Sequence, residues 1–394
     1  MGKTATATQR ARTVISLDNP PQLELLRADL DRVAREEAPV FIDEWQLLPP
    51  AWDRVRRLVD SNHDHAGVLL AGSAGIASGV RIHSGAGRIV KMTMRPLSFA
   101  ERGLAVPTVS LASLLADEPA PIEGASPLGL TDYVEEILSS GFPGIRGLPA
   151  SLRSHQLDSY VERIVMRELP EQGIAVRRRA ALRSWLAAYG AASSTTAAYS
   201  TILDAATPGE SDKPARQTAA IYREHLQRLF VLDPLEAWTP AFAPLKRLAT
   251  APKHHLVDPA LAARLLQVDA EDLMRGHGAR VGASTGTWLG ALFESLVAQA
   301  VRVYAGVNRA RTGHMRLRDS KREIDLIVEG RGMRVVAIEV KLAATIDNND
   351  VRHLNWLKDA LGDRVADRVV VTTGPHAYRR ADGVAVVPLA LLGP

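Results

Sequence analysis

The first four residues, Met1-Gly2-Lys3-Thr4, match the end of a phosphate-binding pattern. In the full pattern, G-x-x-x-x-G-K-[ST], backbone N–H groups hold phosphate oxygens, the lysine contacts the β- and γ-phosphates, and the hydroxyl binds Mg²⁺. Gly2, Lys3 and Thr4 fill the last three places, whereas the earlier glycine and its strand do not precede them. Three interpretations stay open: a start assigned inside a longer gene product, a decayed site, or a coincidence.

A second motif, VFIDE (40–44), places two acids after a short apolar run. Phosphoryl transfer needs a carboxylate in the Mg²⁺ shell and a group that polarises the attacking water. Asp43 is predicted to hold the metal together with Thr4, and Glu44 to act on the water. The next apolar run ends at Ser73, which could contact the γ-phosphate. Each motif alone is a weak signal, but their order along the chain strengthens the prediction of an ATP site.

The C-terminal part carries a second set of candidates in GALFE (290–294), EIDLIV (323–328) and IEVK (338–341). Residues two apart on a strand point to the same face, so Glu339 and Lys341 are expected to lie together. Asp325 and Glu339 are predicted to share Mg²⁺, a cation that prefers carboxylate oxygens. Lys341 would orient water or stabilise phosphate charge, and Glu294 would complete the catalytic site from a helix.

This spacing is typical of the PD-(D/E)XK nuclease fold. The alternative for these residues is a salt-bridge cluster on two neighbouring strands. A nuclease fold can also persist as a DNA-binding or structural module, so the residue pattern does not establish turnover.

These candidates need an α/β frame to position them. Apolar runs at 13–17, 39–43, 68–72 and 88–94 alternate with amphipathic helices, which predicts a parallel sheet with flanking helices over 1–104. A stretch rich in Pro, Gly and acids predicts a linker at 105–127. The sequence predicts that this N-terminal sheet lacks the strand that leads into a phosphate loop.

The remainder of the chain divides into two further predicted domains. Residues 128–270 read mostly helical, and helix, turn, helix and a short apolar run at 230–232 indicate a winged-helix-like region. Residues 271–394 predict a second α/β domain of the nuclease-like class, with a long amphipathic helix before its strands.

Composition limits the class of protein. Hydrophobic residues make up 46% of 394 residues, as in globular proteins, and neither a membrane helix nor a secretory signal is predicted. Zero cysteines exclude disulfides, thiolate zinc sites and a cysteine nucleophile. A cytoplasmic protein is the default expectation. The net charge of +4 is too small to indicate a nucleic-acid partner by itself.

Several segments together resemble one family of prokaryotic AAA-type P-loop ATPases that carry a C-terminal PD-(D/E)XK nuclease-like domain of unknown function. The segments that carry this resemblance are GKT (2–4), SLDNP (16–20), FIDEWQLLPP (41–50), LLAGS (69–73), GRIVKMTMRPLSFAE (87–101), SGFPGI (140–145), YVERIVMREL (160–169) and KHHLVDPALAARLL (253–266). The resemblance covers nearly the whole chain. The family begins upstream with a strand and the first loop glycine, so the resemblance implies an N-terminal truncation and weak ATP binding.

The resemblance also implies roles for particular residues. ATP and Mg²⁺ would bind at Lys3, Thr4, Asp43 and Glu44, and Arg88 would face nucleotide or a neighbouring subunit.

The leading functional prediction is an ATP-binding protein whose nucleotide state gates DNA binding or cleavage by the C-terminal domain. One alternative is a Mg²⁺-dependent nuclease that does not need ATP. Another is a non-enzymatic module that binds DNA or protein. DNA and a second copy of the chain are the predicted partners, without a membrane.

Overall fold

The computed structural model describes residues 2–61, 67–72, 85–118, 120–171, 173–174, 176, 178–206, 216–240, 248–275, 288–317 and 322–394. The chain divides into two compact units. The first contains Met1–Met94, Arg163–Arg177 and Tyr222–Phe230, and the second contains Arg95–Glu162, Arg178–Ile221 and Val231–Pro394.

The first unit is built on a short parallel sheet. Its main elements are α1 (Lys3–Thr8), β1 (Thr13–Ser16), α2 (Pro20–Ala28), α3 (Arg32–Arg35), β2 (Val40–Asp43), α4 (Pro49–Ser61) and β3 (Val68–Ala71). The strand order is β1-β2-β3, with Ile15 opposite Ile42 and Ile42 opposite Leu70. All four residues of β2 are buried, as expected for a central parallel strand covered on both faces. The end of β2 therefore lies in the middle of the sheet edge.

Three of the four predicted strands correspond to β1, β2 and β3, and the α/β class is confirmed. The prediction of a strand at 88–94 is wrong, because the structure has irregular chain there. Val90 and Met92 are 87% and 89% exposed. Alternating apolar residues favour a strand only where a neighbouring strand pairs with the backbone, and none of the strands described in the first unit pairs with this segment.

The helical part of the chain lies between residues 109 and 274. Its elements are β4 (Val109–Ser110), α5 (Leu111–Leu115), β5 (Gly124–Ala125), α6 (Leu130–Leu138), α7 (Pro143–Arg146), α8 (Ala150–Arg163), a π-helical turn (Ile164–Glu168), α9 (Leu169–Glu171), α10 (Arg179–Ala191), α11 (Tyr199–Ala206), α12 (Arg216–Arg228), α13 (Pro259–Leu265) and α14 (Ala270–Met274). The apolar run at 230–232 forms no strand. Leu232 instead makes an isolated antiparallel bridge with Leu256. The winged-helix assignment therefore stays a prediction.

The C-terminal part follows as α15 (Trp288–Val307), β6 (Arg311–Arg316), β7 (Glu323–Glu329), β8 (Val335–Lys341), α16 (Asn348–Leu361), β9 (Val365–Thr372), β10 (His376–Arg379), β11 (Ala385–Pro388) and β12 (Leu392–Gly393). Seven strands form one mixed sheet in the order β5-β10-β11-β9-β8-β7-β6. β6, β7 and β8 are antiparallel neighbours, whereas β8, β9 and β11 run parallel. α15 and α16 both contact β7 and β8.

The stretch predicted as a linker, 105–127, belongs to this second unit. It contributes β5 to the edge of the seven-stranded sheet and β4 as a parallel partner of β12. Leu111 and Leu114 of α5 are 0% and 1% exposed. Pro and Gly shorten the strands without preventing two-residue pairings, and the buried leucines hold the stretch against the sheet.

A buried ion network joins several helices of the second unit. Glu136 on α6 accepts hydrogen bonds from Arg102 Nη1 at 2.9 Å and from Arg146 Nη1 at 2.7 Å. The Arg102 side chain is 0% exposed, and Arg102 also donates to Gln299 of α15. Burial opposes ionisation of Glu136, but the hydrogen bonds from the two guanidinium groups lower its pKa below the ordinary value. Each charge of the network is therefore paired inside the unit.

Glu136→Ala is expected to lower the free energy of unfolding by about 3–5 kcal/mol, because it leaves the Arg102 charge buried without its partner. The neighbouring Glu135→Ala is the control. Glu135 pairs with Arg153 while 55% exposed, so its loss is expected to cost about 0–1 kcal/mol. Guanidinium unfolding of both variants measures the difference, and equal small effects would contradict this account.

The same network predicts an acid-sensitive contribution to stability. Because the folded pKa of Glu136 is lowered from 4.5, its contribution is fully present above that value and is lost as the pH falls through the lower folded pKa. The stability difference between wild type and Glu136→Gln is therefore expected to be constant near pH 7 and to narrow below pH 4.5. Urea unfolding at a series of pH values measures it, and a difference that widens in acid would overturn the prediction.

Candidate functional site

The end of β2 forms the first candidate site. Thr4 Oγ1 donates a hydrogen bond of 2.7 Å to Asp43 Oδ2, and the backbone N–H of Glu44 donates to Asp43 Oδ1 at 3.1 Å. Asp43 is only 6% exposed. Two of the predicted Mg²⁺ residues, which lie 39 positions apart in the chain, are therefore brought into direct contact.

Backbone geometry sets two further residues of this site apart. Gly2 has φ 92°, a conformation that side chains with Cβ rarely adopt, and its carbonyl accepts from Thr6 N at 2.9 Å. Glu44 has φ 51° although it is not glycine, and its carboxylate accepts a hydrogen bond from Gln46 Nε2. Non-glycine residues in the left-handed region cost about 1 kcal/mol and are enriched at functional sites. Lys3, the first residue of α1, follows Gly2 and is half-buried.

Arg88 and Ser73 are the other two residues that were predicted to contact nucleotide. Arg88 donates to Asp60 Oδ1 at 2.7 Å, so its guanidinium is engaged by the end of α4. Ser73 lies outside the described residues. The residue before it, Gly72, is described, and a Cβ there would collide with the Gln46 side chain. The end of β3 is therefore packed closely against the segment that follows Glu44.

The second candidate site lies in the second unit, where α15, β7 and β8 meet. Leu326 of β7 pairs with Ile338 of β8 in the antiparallel register. Asp325 precedes Leu326 and Glu339 follows Ile338, so these two residues are neighbours across the strands. Val340 N donates to Asp325 Oδ2 at 3.0 Å, and Lys341 Nζ lies 3.5 Å from Glu339 Oε2. This contact is consistent with the prediction that Glu339 and Lys341 lie on the same face of β8.

Lys253 occupies the centre of this site, which we call the acidic centre (Glu294, Glu323, Asp325 and Glu339). Its Nζ lies 2.9 Å from Glu294 Oε1, 3.0 Å from Glu323 Oε1 and 2.8 Å from Asp325 Oδ1. The Lys253 side chain is 1% exposed. Glu294 therefore contacts this site from α15. Its partner there is the ammonium group of Lys253.

Neither Lys253 nor Glu323 was among the site residues predicted from the sequence. Glu323 carried a usable signal, because it lies two residues before Asp325 on a strand and therefore shares its face. Lys253 carried a weaker signal: it is a charged residue followed by two histidines at the start of a mostly apolar segment, 253–266. Nothing in that segment indicated which residues would surround its ammonium.

The charges of the acidic centre perturb one another. Burial raises the pKa of Glu294 to about 8, despite the neighbouring Lys253. Burial also raises the pKa of Glu339 well above its ordinary value, and the charge of Asp325 adds to the shift. Burial opposes ionisation of Asp325 as well, but Lys253 outweighs it and lowers the pKa of this carboxyl. The Asp325 carboxylate and the Lys253 ammonium are thus the dominant charged pair.

Two buried histidines, His255 and His314, lie close enough to Lys253 for its charge to act on them. His255 Nδ1 lies 2.7 Å from Ser295 Oγ, and His314 Nε2 lies 2.9 Å from the Ala251 carbonyl. Burial lowers the pKa of both rings, for His314 to about 4, and the Lys253 charge lowers them further. The two rings are therefore neutral near pH 7 and add no positive charge near the lysine.

Within the described ranges, no three His, Cys, Asp or Glu side chains form a group that could hold a metal ion. The Mg²⁺ roles of Asp325 and Glu339, the catalytic roles of Glu294 and Lys341, and the DNA and oligomer partners stay predictions. Among the helices that the structure describes, none has the length and apolar character needed to cross a membrane.

Comparisons with known proteins divide the chain into three matched regions. Residues 1–103 match the profile of an AAA domain. Residues 130–272 and 289–392 match two domains of unknown function, DUF8612 and DUF4143.

A search of curated proteins finds no significant match. Among solved structures, the crystal structure of protein VC1899 from Vibrio cholerae aligns with 12% identity and a TM-score of 0.21, over 94% of this chain and 76% of that chain. The profile matches at the two ends support an AAA-type ATPase-like protein whose C-terminal part is similar to DUF4143.

Proposed function

We propose that the first unit binds ATP with Mg²⁺ and hydrolyses it. The hydrogen bond between Thr4 Oγ1 and Asp43 Oδ2 carries this proposal. A hydroxyl from a G-K-T sequence and a carboxylate at the end of a central strand are the two protein ligands that such sites use for Mg²⁺. The AAA-domain match over the same residues supports the assignment.

The residues present fit this pair of ligands. The hydroxyl and the carboxylate already lie 2.7 Å apart, so both can face one hard cation that prefers oxygen ligands. The positive φ of Gly2 lets the backbone turn directly before Lys3, and the lysine would contact phosphate oxygens as a point charge. ATP with Mg²⁺ would supply the phosphoryl group that is transferred to water.

We assign to Glu44 the role of orienting the attacking water. It directly follows Asp43, and its left-handed backbone conformation ends the extended course of β2 at this residue. The Gln46 amide donates to the Glu44 carboxylate and fixes its position. A held carboxylate of this kind can accept a proton from water as phosphate transfer proceeds.

Thr4→Ala is expected to weaken Mg²⁺-dependent ATP binding by about tenfold or more, because it removes the hydroxyl that contacts Asp43 and would contact the metal. Thr4→Ser keeps the hydroxyl and should retain most of the affinity. Thr6→Ala is the matched control, since Thr6 is an exposed threonine two residues further along α1. Titration of a fluorescent ATP analogue measures all three, and equal affinities in wild type and Thr4→Ala would refute the site.

Glu44→Gln is expected to keep ATP binding and to reduce the hydrolysis rate about 100-fold, because the amide cannot accept the proton of the water. Phosphate release under saturating ATP gives the rate, and the same titration as above gives the affinity. A variant that hydrolyses ATP as fast as the wild type would remove Glu44 from the mechanism while leaving the binding site intact.

A further inference from the structure

The spacing of Asp325, Glu339 and Lys341 implies a divalent metal, but the point where the carboxylates converge holds the Lys253 ammonium. An ammonium has three N–H donors. Three carboxylate oxygens lie within 2.8–3.0 Å of Lys253 Nζ, one each from Glu294, Glu323 and Asp325. Each of the three N–H donors of the Lys253 ammonium therefore has a carboxylate oxygen as acceptor. A divalent metal at this place would need the same carboxylates as ligands.

Lys253 is also anchored along its backbone. Its N–H donates to the Leu235 carbonyl at 2.9 Å, and its carbonyl accepts from Leu235 N at 2.9 Å. The next residue, His254, donates from its backbone N–H to the Thr195 carbonyl at 2.9 Å. With the side chain 1% exposed, the ammonium cannot leave the acidic centre by a simple rotation into water.

Metal binding at the same place would require a different arrangement. Mg²⁺ takes oxygen ligands at about 2.0–2.1 Å, far shorter than the Nζ–oxygen distances in the acidic centre. A divalent cation beside the ammonium would be repelled strongly in this buried position. The residues present therefore do not fit the metal that the spacing implies.

We propose that Lys253 is the resident cation of the acidic centre and takes the place of a divalent metal. The lysine fixes the segment before α13 to α15 and β7, and it neutralises carboxylates that would otherwise repel one another. The C-terminal part of the second unit then acts without metal-dependent cleavage, as a binding or structural module. This inference is independent of ATP binding by the first unit.

The first test is Lys253→Met in the full chain, which removes the charge and keeps much of the volume. In EDTA the melting temperature is expected to fall on the order of 10 °C, because the carboxylates lose their buried partner. Mn²⁺ or Mg²⁺ should restore much of that loss in this variant, and adding Asp325→Asn should abolish the recovery. The wild type should show no such metal response.

Lys358→Met is the matched control, because Lys358 Nζ donates to the Val365 backbone carbonyl at 3.2 Å. It should respond to neither cation. A Lys253→Met protein as stable as the wild type, or one that gains no stability from Mn²⁺ or Mg²⁺, would overturn the proposal.

A second measurement decides the question if Lys253→Met does not fold. Mn²⁺ binding to the wild-type chain is followed by electron paramagnetic resonance without nucleotide and compared with Glu339→Gln. Indistinguishable signals are expected, since Lys253 already holds the centre. Tight Mn²⁺ binding that Glu339→Gln removes, or Mg²⁺-dependent DNA cleavage that it removes, would show that the metal and not Lys253 is the working cation.

Discussion

The second unit depends on one buried lysine among carboxylates. Lys253 contacts Glu294 on α15 and both Glu323 and Asp325 on β7, so a single ammonium joins a loop, a helix and the sheet. Desolvation makes each of these charges costly alone, and their mutual pairing offsets that cost. The position of the segment before α13 is therefore coupled to the position of the sheet. Removing the ammonium leaves the carboxylates buried without a cation, and removing the carboxylates leaves the ammonium buried without an anion.

Other polar contacts in the second unit serve the same structural purpose. Asp258 accepts from Ser140 Oγ at 2.8 Å and from Gly141 N at 2.7 Å, and the Gly141 carbonyl accepts from Leu97 N at 2.7 Å. These residues come from the segments PLSFAE, SGFPGI and VDPAL, which carried the family resemblance. Three segments that are far apart in the sequence therefore meet at one place in the second unit. Recognition of a family by such segments indicates architecture more directly than chemistry.

The two candidate sites differ in what their charges can do. In the first unit, Asp43 is held by a neutral hydroxyl and a backbone N–H, so its carboxylate can still take part in binding a cation. In the second unit, the carboxylates face an ammonium that already satisfies them. Similar acidic motifs at strand ends therefore predict different chemistry, and the difference lies in the partner that the fold supplies.

Elements that have a local pattern of residues could be predicted from the sequence. The apolar run ending in Asp43-Glu44 became β2, and the E-x-K alternation placed Glu339 and Lys341 at the end of β8. The contacts between distant residues could not be predicted in this way, because side-chain periodicity carries no information on which segments the folded chain brings together. Lys253 lies 41 positions from Glu294 and 72 from Asp325. For the same reason the run at 88–94, apolar enough for a strand, pairs with none of the strands described in the first unit, while the Pro- and Gly-rich stretch at 105–127 has partners in β10 and β12.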